Sequence, residues 1–125
     1  MNILVVDDHP NLARATAMAL RALGCQTFTA TNTAMATQLL GTENIDGVFL
    51  DLNLGAESGL DYLSTLTAKV SSPPVILFTA QTKDEVAEEV LTRGALSCLI
   101  KPFTLDDLRM QVQRIEQYKR NLSQG

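Results

Sequence analysis

Five polar residues each stand where an apolar run stops. ILVV ends at Asp7 and Asp8, VFL at Asp51, VILF at Thr79 and SCLI at Lys101. If these runs are strands of one open parallel sheet, their C-terminal ends share an edge, and ligands bind at that edge. Alternation alone then gathers three carboxylates, a hydroxyl and an ammonium into one cleft. Three carboxylates a few ångströms apart repel, and one is pushed to protonate unless a cation is shared. A small hard dication is the natural remedy, and Mg2+, with its preference for oxygen ligands, suits it. The Lys101 ammonium adds a charge for an incoming anion. Dication, ammonium, hydroxyl and spare carboxylate oxygen make a phosphoryl site, with a carboxylate as nucleophile and an acyl phosphate as product.

Each residue also has a plainer role. Asp7 or Asp8 suits the cap of a helix beginning near Pro10, and Asp51 suits a strand-end turn. Thr79 is unremarkable alone, and Lys101 before Pro102 suits a surface turn. What favours the site is that all of them fall at strand ends in sheet order. His9 shows no ligand-like partner in the sequence and reads as a solvated loop residue.

The elements that must position this set alternate regularly. ILVV (3–6), VFL (48–50), VILF (75–78) and SCLI (97–100) read as buried parallel strands, apolar on both faces. CQTFTA (25–30) alternates more, as an edge strand does. Leu12, Thr16, Ala19, Leu20 and Leu23 mark one face of a first helix, which Gly24 stops. A second helix is predicted from about Thr33 to Leu40 with Gly41 after it. A third runs from about Ser58 to Ala68 with Leu60, Leu63 and Leu66 inward. The fourth carries Asp84, Glu85, Glu88 and Glu89 towards its start and Arg93 at its end, an order matched to the helix dipole. The last opens on TLDD, where Thr104 caps and Asp107 reciprocates, and its stripe Leu105, Leu108, Val112, Ile115, Leu122 faces the core. Five strand–helix units imply a parallel sheet with helices on both faces and right-handed crossovers.

Composition narrows the class. The chain has 125 residues, 46% hydrophobic and 19% charged, with a net charge of −4, enough for one domain with one sizeable core. The pI near 4.8 argues against direct nucleic-acid binding, which leaves a basic footprint. No apolar run approaches the roughly 18 residues of a membrane span, and MNILVVDDH turns acidic too early for a secretory signal. A cytoplasmic protein is expected. Neither GxGxxG nor GxxxxGK[ST] occurs, which weakens a nucleotide-binding reading. Cys25 and Cys98 lack metal-ligand spacing and read as free buried thiols.

LVVDD (4–8), FLDLNL (49–54), SGLD (58–61), FTA (78–80), RGA (93–95) and IKPF (100–103), in this order and spacing, resemble the receiver domain of bacterial two-component response regulators. The resemblance covers nearly the whole chain, with 1–120 as the receiver and 121–125 as a tail or the start of a linker to an output domain. It implies a flavodoxin-like, doubly wound five-stranded parallel sheet of order 2-1-3-4-5 with five helices in three layers. It implies that Asp51 is phosphorylated from the phosphohistidine of a histidine kinase or phosphotransfer protein. Asp8, Asp51 and the backbone carbonyl of Asn53 would hold Mg2+, with Asp7 acting through water. Thr79 would bond a phosphoryl oxygen, Lys101 would pair with Asp51 or its phosphate, and the bond before Pro102 would be cis. Asn53 and Gln81 would set the lifetime of the phosphorylated state. The surface of the fourth helix, fifth strand and fifth helix would then switch its affinity for partners, a homodimer among them. In that strand order Cys25 and Cys98 lie on opposite edges, about 19 Å apart, beyond the roughly 7 Å reach of a disulfide.

Two positions depart from the family pattern. Cys98 stands where many receivers carry the Tyr or Phe whose rotamer reports activation. Leu96 and Ser97 replace the acidic residues that the winged-helix subfamily pairs with arginine on the last helix, where this chain has Gln111 and Gln113. A receiver-like binding module working without phosphorylation is therefore the alternative reading. A phosphatase of the haloacid dehalogenase kind is disfavoured, because its nucleophile lies on the first strand as DxD.

Overall fold

The computed structural model describes residues 1–80 and 84–124. Five parallel strands, β1 (Asn2–Val6), β2 (Gln26–Ala30), β3 (Gly47–Asp51), β6 (Val75–Thr79) and β7 (Ser97–Ile100), form one sheet. A two-stranded hairpin, β4 (Asn53–Leu54) and β5 (Glu57–Ser58), is inserted between β3 and the next helix. The sheet order is β2-β1-β3-β6-β7, which is 2-1-3-4-5 once the hairpin is set aside.

Five helices, α1 (Pro10–Ala22), α2 (Thr33–Thr42), α3 (Gly59–Thr67), α4 (Asp84–Thr92) and α5 (Leu105–Gln124), connect the strands. Strand periodicity divides the core. Leu4, Val6, Val48, Leu50, Val75 and Leu77 face Ala36 of α2, Leu63 and Leu66 of α3 and Val90 of α4. Ile3, Val5, Phe49, Ile76 and Phe78 face Ala13 and Leu20 of α1 and Leu108, Val112 and Ile115 of α5. Burying both faces of β1, β3 and β6 is why these strands read as unbroken apolar runs.

Local chemistry sets the helix starts. Asn32 accepts a bond from the Met35 N–H at 2.8 Å, and Ser58 accepts one from Asp61 at 3.2 Å. Thr104 and Asp107 cap each other reciprocally at 3.1 and 2.8 Å.

Two expectations need correcting. The core-facing stripe expected of the last helix does not hold for Leu105 and Leu122, which are exposed, as is Leu12 on the first helix. The buried side of α1 is Ala13, Thr16, Ala17 and Leu20. Leu12 and Leu105 instead border an open groove between α1 and the start of α5, which reaches Asp7 and Lys101. Gly41 does not stop α2, which continues to Thr42. Residues 121–124, expected as a tail or the start of a linker, lie in α5.

Candidate functional site

The ends of the central strands bring the predicted residues together. Asp51 is the last residue of β3 and Thr79 the last of β6, while Asp7 and Lys101 follow β1 and β7 directly. Backbone bonds continue the sheet past the strands and fix these positions. Asp7 N–H donates to Ala30 O at 3.0 Å, Leu52 N–H to Phe78 O at 3.0 Å and Lys101 N–H to Thr79 O at 2.8 Å. Asp7, Asp51 and Thr79 are buried, and the Lys101–Pro102 bond is cis.

Two groups hold the Asp51 carboxylate. Lys101 Nζ donates to Oδ2 at 3.1 Å, and the Asn53 N–H donates to Oδ1 at 3.0 Å. Burial pushes the Asp51 carboxyl above its usual range against these two groups, and the nearby Asp7 charge adds to the rise. The Lys101 ammonium also lies 3.8 Å from Asp7 Oδ2 and 4.7 Å above the Phe78 ring, whose edge-to-face partner is Phe103. One ammonium thus serves two buried carboxylates and an aromatic face.

The carboxylates still have unused oxygens. Asp7 Oδ2 and Asp8 Oδ1 are buried and accept no hydrogen bond. A buried acceptor without a donor is costly, so these atoms suit a cation, and the all-oxygen donor set suits a hard one such as Mg2+. Space around Asp8 is kept by Gly55, whose φ of +70° and missing side chain matter together. A Cβ there would stand 3.1 Å from Asp8 Oδ2.

Three features were missed in the sequence. His9 is exposed, as expected of a loop residue, but it has carboxylate neighbours. Its Nδ1 lies 3.0 Å from Asp8 Oδ1 and 3.5 Å from Asp7 Oδ1. The β4–β5 hairpin carries Asn53, and its Gly55–Ala56 turn was a readable hairpin signal. Glu57 on that hairpin accepts from the Thr33 N–H at 3.1 Å and from the Thr33 hydroxyl. These bonds tie the loop after β3 to the start of α2. Gln81 lies outside the described residues.

Cys98 is half-buried on β7 and packs against the α2–α3–α4 side of the core. Burial pushes its thiol and that of Cys25 up; both are free. Ser97 and Gln111 are buried. Among the described residues no helix is long and apolar enough to cross a membrane.

The family model described as the response regulator receiver domain matches residues 3–113. The chain belongs to this family. The receiver is 37% identical over 112 residues to the regulatory protein AtoC of Escherichia coli, covering 90% of this chain and 24% of AtoC. It is 35% identical over 117 residues to the probable transcriptional regulatory protein TcrX of Mycobacterium tuberculosis, covering 92% of this chain and 49% of TcrX. The chain thus spans half or less of these relatives. Among solved structures, the receiver domain of the Francisella response regulator 1452 is 29% identical with a TM-score of 0.85, over 96% of this chain and 98% of that one. A Burkholderia pseudomallei response regulator, solved with a phosphorylated aspartic acid and a calcium ion, is 26% identical with a TM-score of 0.78. That match covers 94% of this receiver and 74% of the Burkholderia chain.

Proposed function

We propose that this receiver accepts a phosphoryl group on Asp51 and acts as a cytoplasmic signalling switch. The observation that carries the reading is the buried Asp51 carboxylate, one of whose oxygens is bonded to Lys101 at 3.1 Å beside oxygens of Asp7 and Asp8 that accept no hydrogen bond from the described residues. The donor is the phosphohistidine of a partner histidine kinase or phosphotransfer protein. An Asp51 oxygen attacks phosphorus, the P–N bond to the donor breaks with its electron pair leaving on the imidazole, and an acyl phosphate remains. Asp8, Asp51 and the Asn53 carbonyl would hold Mg2+, with Asp7 acting through water, and the ion would supply positive charge to offset that on the phosphoryl oxygens.

Lys101 moves from Asp51 to the phosphoryl group, and the Thr79 hydroxyl donates to a phosphoryl oxygen. The α4–β7–α5 surface then changes its affinity for an output domain or another partner, a second receiver included. Asn53 and Gln81 set the lifetime of the phosphorylated state. Slower or faster dephosphorylation in Asn53→Ala or Gln81→Ala supports this, and unchanged rates in both refute it. The receiver itself does not bind nucleic acid.

Incubation with a small acyl phosphate tests the metal requirement. A phosphoryl adduct that forms with Mg2+ and not with a chelator supports the reading; equal yield under both conditions contradicts it. Cys98, a small thiol at the usual aromatic position, favours a second reading, a binding module that works unphosphorylated. Equal partner affinity before and after phosphorylation would select it.

A further inference from the structure

His9 stands against the acidic pocket in a way that helix capping does not explain. It occupies the N-cap position of α1, yet its side chain makes no capping bond, although side-chain capping is what usually selects a residue there. Its backbone is held from the other side, where the N–H donates to Asp7 Oδ1 at 3.0 Å, and Pro10 starts the helix directly after it.

Its Nδ1 reaches 3.0 Å from Asp8 Oδ1, but that oxygen accepts no hydrogen bond. Two electron-rich atoms this close share a positive centre, which is either a proton on Nδ1 or a metal ion. Asp7, Asp8 and His9 offer one donor atom each, all within 4.8 Å of one another. Ligand atoms about 2.1 Å from a metal lie about 3.0 Å apart along an octahedral edge, which is the Nδ1–Oδ1 separation seen here. The independent sign of a cation is Asp7, fully buried, whose Oδ2 has no hydrogen-bond donor. Lys101, at 3.8 Å, lies on the side of Asp51.

We propose that His9 is a nitrogen ligand of the acidic pocket, giving this receiver a preference for imidazole-seeking transition-metal dications such as Ni2+, Co2+ or Zn2+ over Mg2+. The proposal rests on the reading of Asp7 and Asp8 as a cation site and adds a determinant of which cation is held. Carboxylates alone suit Mg2+, Ca2+ and Mn2+, whereas an added imidazole shifts affinity towards the later metals. The ring is 66% exposed in its side chain, so it can turn towards or away from an ion without disturbing the core.

The test is calorimetric titration of the untagged chain with NiCl2 and with MgCl2 at about pH 8, where a free imidazole carries no proton. His9→Asn keeps a good capping residue at this position, so folding is not in question. The expected result is a ratio of Ni2+ to Mg2+ affinity at least about tenfold lower in His9→Asn than in the wild type. The chain has a single histidine, so its ring resonances are assigned without ambiguity. One equivalent of Zn2+ should shift Nδ1 in the wild type and leave it unmoved in Asp8→Asn. An equal ratio in both proteins, or a ring unmoved while Zn2+ binds, overturns the role of His9 and leaves the Mg2+ site intact. Failure of the wild type to bind any of these ions overturns the cation site itself.

Discussion

The Lys101 ammonium donates to Asp51 Oδ2 at 3.1 Å, so one oxygen of the proposed phosphoacceptor already faces a cation. Lys101 offsets the repulsion of two buried carboxylates, and any dication brought to Asp51 competes with it. Lys101→Met should therefore bind Mg2+ at least about threefold more tightly, measured by calorimetry. Affinity equal to or weaker than the wild type would show that the ammonium does not oppose the metal.

Asp51 is also costly to the fold. Burial raises its carboxyl pKa, with the Asn53 N–H and Lys101 offsetting only part of the effect. The folded chain thus holds that proton more tightly than the unfolded chain, and stability falls as pH rises through the folded value. Below the ordinary carboxylate range the penalty is absent, and above the folded value it is fully present. Asp51→Asn should melt at least about 3 °C higher at neutral pH in chelator, with the gain disappearing on acidification. A lower melting temperature would mean that the Lys101 pairing outweighs desolvation.

Gly59 follows the hairpin, and its N–H donates to Leu52 O at 3.0 Å. A Cβ there would stand 2.5 Å from the Leu52 carbonyl oxygen and also overlap that of Asp51. Gly59→Ala should cost about 2 kcal/mol or more in denaturant unfolding. Gly41 is the control: it lies inside α2 with open space where a Cβ would go, so Gly41→Ala should stabilise by about 0.5–1 kcal/mol. Equal effects of the two substitutions would contradict the close packing at Gly59.

Glu57 and Thr33 join two loops at the rim of the site. Thr33 bonding holds the Glu57 carboxyl below its usual value, so the tie is complete at neutral pH and loosens as pH falls through the folded value. Glu57→Ala should speed amide exchange at Thr33 and across the hairpin, and weaken Mg2+ binding through the Asn53 carbonyl. Unchanged exchange at Thr33 would show that the tie carries no load.

What the sequence made legible followed from periodicity. β3 is buried along all its length, so VFL stood out and Asp51 marked its end; the same logic found Asp7, Thr79 and Lys101. Amphipathic stripes were less faithful at helix ends. Leu12, Leu105 and Leu122 continue their stripes in register, yet they stay exposed. Gly41 reads as a stop only if the next residues leave the helix, and they do not. The Glu57–Thr33 tie joins residues 24 apart from two loops, so no local pattern announces it. The His9–Asp8 approach depends on backbone direction at a strand end, which residue types do not encode.

The central claim, that Asp51 is the phosphoacceptor, is tested most directly by intact mass after incubation with a small acyl phosphate and Mg2+. The wild type should gain a single phosphoryl adduct that is absent in Asp51→Asn. An adduct of equal yield in Asp51→Asn, or none in a wild type shown to bind Mg2+, would contradict the account.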